Sequence, residues 1–115
     1  MKKVVVLAFR GEKSCFLHAL LNVIDMNEKG FNVKLIMEGQ SPKLLSEITK
    51  KEDKLFSFYN YVKSKGLISA VCKGCANMMG TLEIAKKEGL LIVGDMKNHV
   101  SLAKYIEEGY EIITF

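Results

Sequence analysis

Five short apolar runs alternate with stretches of helical spacing, and that alternation constrains the fold more than any other feature of this chain. The runs are residues 4–9, 31–37, 67–71, 90–93 and 110–115, rich in Val, Ile, Leu and aromatics. Ser14 opens a helix predicted to run to about Lys29, with Gly30 ending it. Ser41-Pro42 starts a short helix, with proline at its favoured first position. Leu55, Phe58, Tyr59 and Val62 recur at i, i+3, i+4, i+7 up to Gly66. Met78, Leu82 and Ala85 mark another helix that Gly89 stops, and His99, Leu102, Ala103 and Ile106 a last one that Gly109 stops. Strands separated by helices pair in parallel through right-handed crossovers. Near-continuous apolar strands need cover on both faces. The expected fold is therefore α/β: a three-layer α/β/α sandwich on a five-stranded, mainly parallel sheet. With 115 residues and no repeat, low-complexity segment or linker, residues 1–115 read as a single domain.

The remaining bulk properties exclude several classes. The formal charge is +4, from 17 basic and 13 acidic residues, and every basic residue but Arg10 is lysine. Nucleic-acid readers rely on arginine forks, and these lysines are scattered among carboxylates, so no nucleic-acid partner is expected. No stretch reaches the ~18 apolar residues of a membrane span. The first apolar run lacks a small-residue cleavage site and reads as a strand. Three cysteines do not make a secreted disulfide framework. A cytoplasmic protein with reduced thiols is expected. No cofactor is indicated: there is no Walker-type phosphate loop, no G-x-G-x-x-G, and residues 10–13 lack the hydroxyl-rich run of a flavin-phosphate loop.

In an open parallel sheet, ligands bind beyond the carboxyl ends of the strands. In this chain those ends carry Arg10, Glu38, Gln40, Cys72, Cys75 and Asp95, with Cys15 and His99 in the helical turns that follow two of them. The central motif is Cys72-Lys73-Gly74-Cys75, at the end of the third strand and the start of a helix. A helix N-terminus favours thiolate over thiol, so a reactive, solvent-reachable Cys72 is expected. Lys73 adds positive charge and Gly74 flexibility. Four chemistries fit the spacing. A thiolate there can pass sulfane sulfur as a persulfide. The pair can be a dithiol–disulfide centre, although the only proline, Pro42, does not suit a thioredoxin arrangement. Cys72 and Cys75 can also join Cys15-x-x-His18 in a Cys₃His zinc site. Finally, cysteine can fill space as a small hydrophobe, the favoured reading for Cys15. His99 is a candidate base or donor beside the thiols, and equally a packing residue on the face of Leu102, Ala103 and Ile106. Asp95 is a candidate pocket residue or a cap of the last helix.

The first helix carries two apolar stripes. One is Leu17, Leu20, Leu21 and Ile24; the other is Phe16, Ala19, Val23 and Met26. A surface helix needs only one, so a homo-oligomer is expected.

Several segments, taken in order, resemble the DsrE/DsrF-like family of small sulfur-relay proteins over nearly the whole length. They are the apolar first strand, residues 71–75 with Gly80 eight positions past Cys72, residues 93–96, and the ending 109–115. The resemblance implies a three-layer α/β/α fold, trimers or hexamers, and sulfur donor and acceptor proteins as partners. It also implies a carrier without independent turnover. By spacing to the glycine, Cys72 takes the persulfide position, with Cys75 as auxiliary thiol and Lys73, Gly74, Asp95 and His99 around it. The alternative is a non-catalytic oligomeric module whose C-x-x-C binds metal or senses redox state.

Overall fold

The computed structural model describes residues 1–115. The five apolar runs become β1 (Lys3–Ala8), β2 (Asn32–Met37), β3 (Ile68–Cys72), β4 (Ile92–Val93) and β5 (Glu111–Thr114). They form one sheet in the order β4-β3-β2-β1-β5, and every pair is parallel. The α/β sandwich read from the pattern is therefore the observed architecture. The β2–β3 register shifts between Leu35 and Ile36, so Ser69 has no partner and Ile68 and Ala70 pair on either side of it.

Topology decides which face each crossover covers. From β1 to β4 the chain steps in one direction across the sheet, and right-handed crossovers then put all the intervening helices on one face. These helices are α1 (Lys13–Glu28), a 3₁₀ turn at Ser41–Leu44 running into α2 (Leu45–Ile48), α3 (Phe56–Ser64), α4 (Lys73–Met79) and α5 (Leu82–Lys87). Between β4 and β5 the direction reverses, so α6 (Ala103–Glu107) lands on the opposite face. The two layers are unequal. The first buries Phe16, Leu20, Leu35, Leu45, Ile48 and Tyr59 in a 20-residue core. The second is a nine-residue cluster around Val5, Ile36, Ala70, Val100, Tyr105 and Tyr110, and it includes both Cys72 and Cys75.

Several expectations are corrected. The segment after β3 is two helices rather than one. Gly80 takes a left-handed conformation (φ 74°) that ends α4, and the buried Thr81 hydroxyl donates to Pro42 O at 2.9 Å, fixing the break. Helix α1 starts at Lys13, with Glu12 in the N-cap position, so Ser14 does not cap it. The second stripe of α1 is absorbed by the chain itself: Phe16, Ala19, Leu20 and Val23 are buried in the larger core, and of the eight stripe residues only Leu21 is exposed, at 40 %. That helix thus gives no ground for a second subunit. His99 lies outside any helix, because Lys97 and Asn98 both have positive φ (48° and 75°) and turn the chain before α6 begins. No helix is long and apolar enough to cross a membrane.

Candidate functional site: a dithiol, an imidazole and a carboxylate

The reversal of direction has a local consequence. The connection leaving β3 goes to one face of the sheet and the one leaving β4 goes to the other, which opens a crevice between their carboxyl ends. Cys72 is the last residue of β3, and the strap 94–99 follows β4. The strap is held down by Gly74 N–H donating to Asn98 O at 2.8 Å, and it is closed on itself by the paired Met96 and His99. This brings the His99 ring over the first turn of α4. Its Nδ1 lies 3.1 Å from Cys72 Sγ and 3.5 Å from Cys75 Sγ. Gly74 is required by that approach: a Cβ there would lie 2.9 Å from Asn98 O and 3.0 Å from His99 Cε1.

Both sulfurs also accept backbone N–H groups. Cys75 N–H points to Cys72 Sγ at 3.4 Å, and Gly39 N–H points to Cys75 Sγ at 3.2 Å. Gly39 follows Glu38, the first residue past β2. The Glu38 carboxylate completes a group in which one donor atom each from Glu38, Cys72, Cys75 and His99 lies within 4.8 Å of the others. Glu38, Cys75 and His99 line an apolar cavity of about 330 Å³ together with Phe9, Met78 and Met79.

Burial separates the two thiols. Cys72 is 0 % exposed and Cys75 7 % exposed, and both are free. The expectation of a solvent-reachable Cys72 is therefore corrected: its side chain points from the end of β3 into the smaller core, and Cys75, a turn later, borders the cavity. Burial pushes the Cys75 thiol up to about 12, and its hydrogen bond to the Cys72 sulfur adds to the effect. Burial likewise raises the Glu38 carboxyl above the ordinary range, against the opposing pull of His99 and of the Val100 N–H. Helix α4, whose first turn holds the pair, has only seven residues.

An uncharacterized protein of Methanocaldococcus jannaschii, MJ0733, is 35% identical to this chain over 97 residues, which cover 84% of this chain and 77% of the relative. The chain belongs to the MJ0733 family. Two uncharacterized proteins of Archaeoglobus fulgidus match parts of it. One is 54% identical over 37 residues, 32% of this chain and 100% of that protein; the other is 40% identical over 40 residues, 35% of this chain and 66% of that protein. No protein-family profile matches. Among solved structures, two proteins of unknown function share the fold at a TM-score of 0.73. BT1422 of Bacteroides thetaiotaomicron has 16% identity over 99% of this chain and 95% of that one. MTH1491 of Methanobacterium thermoautotrophicum has 13% identity over the full length of both chains.

Within this MJ0733-family chain, the other expected site residues sort clearly. Lys73 is exposed and extends no hydrogen bond to the thiols, and Gly74 acts by its smallness beneath His99. Asp95 lies outside the group. Its carboxylate accepts the Ser101 N–H at 2.9 Å and pairs with Lys104 at 2.8 Å, which pull it below the usual range, so it organises the turn between His99 and α6. Cys15 and His18 belong to a separate cavity with Arg10, Asn22, Thr114 and Phe115, so the Cys₃His set with Cys72 and Cys75 is not assembled. Glu38 is the residue that sequence reasoning left without a role. Its position immediately after the second strand, on the ligand-binding edge, was the signal that could have found it.

Proposed function

We propose that this protein carries sulfane sulfur on Cys75, with Cys72 as the thiol behind it. The observation that carries this reading is the setting of Cys75. It is the one thiol of the pair that borders the apolar cavity, and an imidazole nitrogen and a second sulfur lie within 4.8 Å of it. In the loading step a donor persulfide approaches through the cavity. The proton of Cys75 passes to His99 as Cys75 sulfur attacks the outer sulfur of the donor. The donor S–S bond breaks, its thiolate takes up a proton, and the sum is one persulfide and one thiol exchanged for one thiol and one persulfide. Nothing is oxidised overall. The Gly39 N–H then faces the sulfur that bears the chain. The low polarity of the cavity protects a species that water-borne thiols would otherwise strip.

The resemblance to sulfur-relay proteins supports the same chemistry and extends it to a cytoplasmic carrier that works between donor and acceptor proteins as a homo-oligomer, a trimer or hexamer. The exposed apolar side chains of Phe9 and Met78 at the cavity, with Met96 beside His99, give such partners a surface to meet. The test is intact-protein mass spectrometry after the reduced chain is incubated with a small-molecule persulfide. A gain of ~32 Da should map to Cys75. It should vanish in Cys75→Ala and persist in Cys72→Ala. Absence of any gain, or a gain confined to Cys15, overturns the proposal.

A further inference from the structure

The donor set at the head of β3 also suits a metal ion. The geometry points to Cys72, Cys75, His99 and Glu38 as a four-ligand site for one zinc-class divalent cation. This inference stands independently of the sulfur-carrying reading.

Three features carry it. The first is convergence. Ligand atoms in a tetrahedral zinc site stand roughly 3.3–3.8 Å apart, given bonds of about 2.0–2.3 Å. Here Nδ1 of His99 is 3.1 Å and 3.5 Å from the two sulfurs, and the whole quartet falls within 4.8 Å. The second is the outer shell. Each sulfur accepts a backbone N–H, from Cys75 and from Gly39, which is the support that metal-bound thiolates receive. The strap that delivers His99 is itself anchored by Gly74 N–H to Asn98 O. The third is composition. Three groups that are anionic as ligands share this half-buried corner, and no lysine or arginine pairs with any of them. A divalent cation is the counter-charge that lets both thiols deprotonate there, and each gives up its proton as the metal enters. Two thiolates and an imidazole select zinc or cobalt over magnesium or calcium. Because the ligands come from the ends of β2 and β3 and from the strap after β4, bound metal would pin three adjacent segments of one sheet edge.

The experiment titrates the reduced full-length chain with Zn(II), followed by calorimetry, and with Co(II), followed by absorption. One equivalent of each should bind. Cobalt should show the intense visible bands of a tetrahedral centre and a thiolate-to-metal charge-transfer band in the near ultraviolet. Cys72→Ser and Cys75→Ser should each weaken binding and roughly halve that band per bound cobalt, and the double variant should abolish it. Glu38→Gln should weaken binding at least tenfold while keeping the band, because both sulfurs remain. Cys15→Ala and His18→Ala should leave it unchanged. Thermal melts guard against misfolding: zinc should raise the midpoint of the wild-type chain more than that of Cys75→Ser. Substoichiometric binding, or a site that is unchanged in Cys75→Ser but is lost in Cys15→Ala, overturns the inference. The sulfur reading is scored apart, on metal-free protein. Metal binding without sulfur uptake leaves this site standing, and sulfur uptake without metal binding removes it alone.

Discussion

Gly74→Ala tests whether the strap and the cysteine turn are in the contact described. The added Cβ would fall 2.9 Å from Asn98 O and 3.0 Å from His99 Cε1, closer than such atoms rest. Neither neighbour is the free end of a flexible chain. Asn98 O is backbone, and its peptide is fixed by Asn98 N–H to Gly94 O at 3.2 Å and by the reciprocal bonds between Met96 and His99. The strap must therefore shift as a unit. Overpacking of this kind costs about 1–3 kcal/mol. Alanine in place of glycine in a helix returns up to about 1 kcal/mol, so from the middle of that range the net loss is about 1 kcal/mol. For a chain of this size that corresponds to a fall of roughly 3–6 °C in Tm. Calorimetry on wild type, Gly74→Ala and Asn77→Ala provides the measurement. Asn77 is exposed on the same helix, so its substitution should change stability by no more than about 0.5 kcal/mol. As the strap lifts, His99 moves away from both thiols, and the rate of Cys75 alkylation should fall with the loss of its base. A Gly74→Ala protein that melts at or above wild type, with Cys75 alkylation unchanged, would refute the contact and with it the placement of His99.

Three further outcomes follow, two from Cys75 and one from outside the site. Cys75, pushed up to about 12, should react with iodoacetamide at a rate that climbs about tenfold per pH unit beyond pH 9, where a free thiol of pKa ~8.5 levels off. Peptide mapping of metal-free protein reads this, and a plateau near pH 9 would contradict it. The same shift has a definite sign for stability: an acid raised in the folded state favours folding fully below the unfolded value of ~8.5 and loses that contribution as pH climbs toward the folded value, so the denaturant midpoint should fall from about pH 9 upward. Away from the site, buried Tyr59 donates to Glu88 Oε1 at 2.6 Å, beside Lys63 at 2.8 Å. Tyr59→Phe should cost about 1–3 kcal/mol in urea unfolding, with an unchanged slope and no effect on sulfur uptake or metal binding. An unchanged midpoint would show that this bond adds nothing.

The sheet was legible because its signal is local. Five apolar runs of strand length between helical spacings leave few alternatives to a parallel α/β fold, and each run became a strand within a residue or two. Breaks inside helical stretches were harder to read. Gly80 sits in a pattern that Met78, Leu82 and Ala85 keep helical, and what breaks it is the Thr81 hydroxyl reaching Pro42, a partner 39 residues away. The double stripe on α1 has a related explanation. A helix lying across a sheet and against α3 buries more than one row of side chains without any second subunit, and spacing along one helix does not say what lies beside it.

The site divides along the same line. Cys72 and Cys75 were readable because only Lys73 and Gly74 separate them, and a helix start fixes such a pair in space. Glu38 and His99 were not, because they reach the thiols from 34 residues before Cys72 and 27 residues after it, through strand order alone. The misreading of His99 is the instructive case. Its spacing to Leu102, Ala103 and Ile106 fits a helical face, yet Lys97 and Asn98 adopt left-handed conformations and leave it in a turn. That turn sits where the sheet's connections change side. A crossover that must leave β4 for the opposite face cannot go directly into a helix lying on the first. The strap that makes the reversal is thus forced across the end of β3, and whatever residue it carries there meets the cysteines. In this chain the residue is a histidine, and its place over the thiols follows from topology rather than from any pattern in the surrounding sequence.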